Sequence, residues 1–188
     1  LSPDRADFLS RLLSRKRPPG LDANSSVKAL FDAYQTVDAD SKLYDDNLSA
    51  VIDRLSVGHK FPLNDADKAA VARILNAFRT TGPYTLRGQG DASNPTYSQL
   101  MTAADLTGRN QSYLASEENF RVVQQLEKEN HVVPLVGDFA GDKAIVAVGR
   151  YLQEHNSIVN VFYLSNVERY LFDQGDNARK FYANVATL

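Results

Sequence analysis

The chain has 188 residues, 43% hydrophobic and 23% charged, which are the proportions of a globular protein and exclude disordered, collagenous and coiled-coil chains. A formal net charge of −2 supplies no general attraction to nucleic acid or to an anionic membrane. With no cysteine, a disulfide framework, an iron–sulfur cluster, a zinc ribbon and a thiol nucleophile are all excluded.

The first half reads as helices. Ser2-Pro3-Asp4 is a start signal, Phe8, Leu9, Leu12 and Leu13 form one apolar face, and Pro18-Pro19-Gly20 is the expected stop. A second helix begins near Ser25 or Ser26 and turns Val27, Leu30, Phe31 and Tyr34 inward. A third starts about Ser41, with Tyr44, Leu48, Val51, Ile52 and Leu55 at helical spacing. A fourth opens at Asn64, with Asp65 and Asp67 in its first turn, and is expected to bury Ala70, Val71, Ile74, Leu75 and Phe78. Residues 81–96 are rich in glycine, proline and other turn formers, and read as a mobile loop or lid. A short helix around residues 97–104 follows.

The second half changes character. Ser116 caps a helix in which Phe120, Val123 and Leu126 face inward. The apolar runs Val132–Val136 and Ile158–Leu164 flank a helix spanning residues 141–154. Strand, helix, strand predicts a βαβ unit with a parallel pair. A tail helix runs from Ala178 to Val185. The fold class expected is therefore α/β. Residues 1–21 and 106–188 would form the sheet domain, and residues 22–105 a helical insertion.

In parallel sheets, ligands bind at the carboxyl ends of the strands. Those ends carry Asp138 and Ser165-Asn166, with Glu168 one turn on. The alternative for Asp138 and Asn166 is helix capping. Tyr113 lies beside the helix start Ser116-Glu117-Glu118-Asn119, where the two carboxylates diverge by about 100° and do not face one site. His59, between two helices, is the histidine that could serve as a base. His59, His131 and His155 have no metal-ligand spacing, so no metal is expected. Arg11, Arg15, Lys16 and Arg17 form a basic cluster at a helix end, where cations suit the dipole. No apolar run approaches the ~20 residues of a membrane span. No targeting signal is visible, and the expected compartment is the cytoplasm.

Three stretches, Ser112-Tyr113-Leu114-Ala115-Ser116-Glu117-Glu118-Asn119-Phe120, Val136-Gly137-Asp138-Phe139-Ala140-Gly141 and Phe162-Tyr163-Leu164-Ser165-Asn166-Val167-Glu168-Arg169-Tyr170-Leu171-Phe172, resemble an uncharacterised bacterial family. That family is similar to Rossmann-type, S-adenosylmethionine-dependent methyltransferases. The resemblance implies a Rossmann-like parallel sheet, with Asp138 near the adenine of S-adenosylmethionine. It also puts Ser165 and Asn166 beside the acceptor, a small molecule of unknown structure. The glycine-rich half that holds the cofactor in such relatives would precede Leu1 or come from a partner chain. Two functions follow as expectations: methyl transfer, or a catalytically inert protein-interaction module that uses the helical part and residues 81–96.

Overall fold

The computed structural model describes residues 2–87 and 93–188; residues 88–92, the centre of the expected lid, lie outside the described residues. The chain divides into two compact units, residues 1–131 and 132–188.

In the first unit, α1 (Arg5–Leu13) is capped by Asp4, whose carboxylate accepts the Asp7 amide at 2.7 Å. It ends at Ser14, a non-glycine residue with φ 51°, well before the two prolines. α2 (Val27–Gln35) is capped by Ser26 and α3 (Ser41–Asp53) by Asp40. α3 runs on into a π-helical turn, Arg54–Gly58. α4 (Asp65–Thr85) opens with a reciprocal capping box between Asn64 and Asp67. It continues through Thr81 and kinks at Gly82, whose φ of 68° accommodates the following Pro83. α5 (Tyr97–Thr102) and α6 (Glu117–Lys128) are capped by Thr96 and Ser116.

Of the described part of the expected lid, Thr81, Tyr84, Thr85, Arg87, Ser93 and Pro95 are exposed. Gly82, Pro83 and Thr96 are buried, and Arg87 and Thr96 form a backbone bridge. The helix persists to Thr85, and Thr96 caps α5.

The core of this unit is Ala6, Leu9, Leu13, Val27, Leu30, Phe31, Tyr34, Leu114 and Phe120. Its most informative member is polar. Arg5 is 1% exposed, and donates to the carbonyls of Leu114, Ala23 and Ser25 and to a Glu117 carboxylate oxygen at 2.7–2.9 Å. One guanidinium therefore ties α1 to the approach to α2 and to the start of α6. The basic cluster is likewise paired: Arg11 with Asp7, Lys16 with Asp40, Arg17 with Asp4, and Arg15 with the carbonyls of Tyr34 and Val37.

In the second unit, α7 (Ala144–Glu154), α8 (Val167–Phe172) and α9 (Asn177–Val185) enclose a small core of Ala140, Ile145, Leu171 and Phe181. Gly149 of α7 is buried against the backbone of Thr187; a Cβ there would lie 2.3 Å from the Thr187 carbonyl oxygen.

The α/β expectation is overturned. The chain is 55% helical, and among the described residues there is no sheet, only three isolated bridges, all in the first unit. Val132–Val136 and Ile158–Leu164 run as irregular backbone, the second bent at Asn160. Neither segment pairs with the other. An apolar run marks a strand only where another strand is available to exchange hydrogen bonds, and no such neighbour lies among the described residues. The Rossmann-like sheet, its βαβ unit and the shared sheet edge for Asp138 and Asn166 fall with it.

Candidate functional site

Four of the six residues singled out in the sequence lie in the second unit, on two turns. Asp138 is exposed and accepts the Ala140 amide at 2.9 Å, while its carbonyl accepts the Gly141 amide at 3.1 Å. It closes its own turn and does not cap α7, whose N-cap position is Lys143. Ser165 is exposed with φ 51°, and Asn166 occupies the N-cap position of α8 without a side-chain capping bond. Glu168 accepts the Tyr182 hydroxyl at 2.7 Å, and this bond to a carboxylate pushes the phenol up. Each of the four is thus engaged locally or open to solvent, and no hydrogen bond or ion pair links one to another.

The more distinctive feature of this unit is what leads into those turns. Phe139, just after the first apolar segment, packs its ring 6.0 Å from Phe181, and Phe162 of the second segment stacks 6.5 Å from the same ring. Asn184 of α9 donates to the carbonyls of Phe139 and Gly141, fixing the first turn. Both segments are therefore moored to α9 near their carboxyl ends, and away from the mooring contacts they lie open. Val133 is 75% exposed, Val136 99%, Val161 83% and Tyr163 84%. Among the described residues, no backbone hydrogen bond is made by positions 132–137 or 158–163. Neither stretch carries a charged residue. Soluble proteins rarely leave contiguous apolar surface of this kind uncovered.

The other two residues belong to the first unit and do not meet. Tyr113 is half-buried, hydrogen-bonded to the Tyr97 hydroxyl at 2.6 Å, and lines an apolar cavity. Burial pushes both phenols up. His59 is exposed after the π-helical turn, with its ring 6.2 Å from Phe61. His59 makes no hydrogen bond or ion pair with a carboxylate or hydroxyl among the described residues. Among the described residues, no group of three or more histidines and carboxylates comes together as a metal site, and no helix is long and apolar enough to cross a membrane.

Sequence reasoning missed Arg5. Its main partner, Glu117, stands 112 positions away. The excess of carbonyl acceptors around it is a tertiary property with no local signal.

A family model described as Domain of unknown function (DUF7790) matches residues 21–188. No curated protein matches the chain, and neither does any solved structure. The resemblance to Rossmann-type methyltransferases is corrected on two grounds: the matching family has no assigned function, and the sheet that the resemblance requires is not formed. From residue 21, six positions before α2, through to the end of α9, this chain belongs to the DUF7790 family.

Proposed function

We propose that the chain is a protein-interaction module whose contact surface is the pair of apolar segments in the second unit. The observation that carries this reading is the combination, over 132–137 and 158–163, of exposed apolar side chains and backbone groups without partners. Unpaired peptide groups call for a peptide partner, because a small hydrophobic ligand would leave the N–H and C=O groups unsatisfied. Uncharged segments call for an equally apolar strand. The occupant is therefore an extended, uncharged segment of another protein, bound by strand addition.

Pro134 refines the arrangement. It removes one donor from the side of the first segment that Val132 and Val136 share, so that side suits an edge. The second segment has no proline, and each of its residues retains a backbone donor. Natural edges are usually guarded by charge, by proline or by a bulge; the first segment has Pro134 as a guard on one side, and the second has neither charge nor proline, which is the pattern of a surface that is covered in use.

This reading puts the interface in the second unit and not at residues 81–96, and gives S-adenosylmethionine no part. A photo-crosslinking amino acid placed at Tyr163, at Val136 and, as a control, at His59 tests it in the cells that make the protein. Adducts from the first two positions, mapping to an uncharged strand-like stretch of another protein and lost when Val161→Lys is added, are expected. Equal yields from His59, adducts only between copies of this chain, or none at all would overturn the proposal.

A further inference from the structure

The first unit contains a cavity of about 530 Å³ bounded by α1, α3, α4 and α6. Phe8, Tyr113 and Phe120 form an aromatic wall, with Phe8 5.9 Å from Tyr113 edge-on and 5.6 Å from Phe120. Leu12, Val51 and Leu75 supply aliphatic surface to the same space. This cavity takes up the space where the apolar faces of α3, α4 and α6 would otherwise meet, and it leaves all three of these aliphatic side chains only half-buried. Its volume and lining fall in the range of small-molecule pockets.

The polar groups of the lining say what the occupant lacks. The Arg11 guanidinium is paired with Asp7 at 2.8 Å, and Asn47 donates to the Arg11 carbonyl at 3.1 Å. Gln124 donates to the Ser2 carbonyl and accepts from Lys128. Glu127, the remaining charged member, is exposed to solvent. An anionic head group would find Arg11 already engaged by Asp7 and would be repelled by Glu127, while a cationic one would gain from Glu127 only a solvent-exposed pair, which contributes little. A space of this volume takes one drug-sized molecule.

We infer that this cavity is a binding site for an uncharged, largely hydrocarbon molecule of that size, such as a neutral lipid or a polycyclic aromatic. The test uses the full chain and diphenylhexatriene, an uncharged hydrocarbon of matching size that fluoresces in apolar surroundings. Saturable binding of one probe per chain is expected. Leu75→Trp and Val51→Phe, which fill the cavity from α4 and α3, should each weaken it at least tenfold, with helical circular dichroism retained. Val136→Lys combined with Val161→Lys, on the second unit, should leave it unchanged. Methyl resonances of Leu12, Val51 and Leu75 in the unsubstituted protein provide a second readout, and they should shift on adding the probe. No saturable binding, or methyl shifts confined to the second unit, would overturn the assignment. So would undiminished binding in both filled variants.

Discussion

Replacing Arg5 by methionine removes the polar centre of the first unit while keeping an unbranched apolar stem of similar length. The native guanidinium is 1% exposed and the Glu117 side chain 15% exposed, so their attraction is little screened by water. Breaking a buried pair by deleting one partner costs about 3–5 kcal/mol, because the remaining charge is stranded. Here one oxygen of Glu117 already lacks a partner, and the other loses its ion pair with Nε and keeps only the Arg5 backbone amide at 3.3 Å. The carbonyls of Leu114, Ala23 and Ser25 lose their donors too. A loss of about 4 kcal/mol is expected, a large share of the roughly 5–15 kcal/mol that holds a domain together. With a urea slope of about 2 kcal/mol per molar, the midpoint of the first unit should fall by about 2 M. Far-ultraviolet circular dichroism along a urea series measures it. Arg5→Met with Glu117→Leu, which strands no charge, should recover roughly half of the loss. A midpoint drop under about 0.5 M for Arg5→Met, or no recovery in the double variant, would refute the view that this pair staples α1 to α6.

The remaining predictions concern separate sites. Burial pushes the Tyr34 phenol up to about 12 from 10.0, so the folded protein retains a proton that the unfolded chain releases. Its contribution is complete below pH 10 and is lost as the pH rises toward 12; Tyr34→Phe should flatten that alkaline fall in the urea midpoint. Gly149→Ala would push a methyl group to 2.3 Å from the Thr187 carbonyl oxygen. Despite the better helix propensity of alanine, it should destabilise the second unit by about 1–2 kcal/mol, read as faster amide exchange in α7 and α9. Ser116→Ala deletes the cap that accepts the Asn119 amide at 3.0 Å and should cost about 1 kcal/mol in the same urea assay. Val136→Lys with Val161→Lys alters two side chains that are already in water, and should change stability by less than about 0.5 kcal/mol while raising solubility.

The helical framework was legible because its signals are local. Asn64 and Asp67 form their capping box, Ser26 and Ser116 cap where their spacing places them, and Leu30, Phe31 and Tyr34 turn inward as their period requires. Even there the apolar period overstates burial. Ile74 and Leu126 fall on expected inner faces yet stay exposed, one 55% and the other 38%. A period identifies a stripe, but whether the stripe is covered depends on what packs opposite. Near Leu75 and Val123 that space is the cavity.

The two apolar runs of the second unit make the same point more sharply. Val132–Val136 and Ile158–Leu164 have strand composition, and nothing within either run distinguishes a strand buried in a sheet from one awaiting a partner. The difference lies in hydrogen bonds to another segment, which local pattern cannot encode. The candidate residues Asp138, Ser165 and Asn166 were selected as tips of a sheet, and their geometry as an active site depended on that sheet. Without it they are turn residues, and in the proposed interaction the contact is made by the backbone leading into them. The moorings favour that contact. Phe181 holds Phe139 and Phe162 through ring contacts, and Asn184 anchors the first turn. Both segments are thereby partly pre-organised, which lowers the ordering cost that a fully disordered segment meets on binding. A partner strand then has to order only the stretches upstream of the moorings, Val132–Val136 and Ile158–Val161.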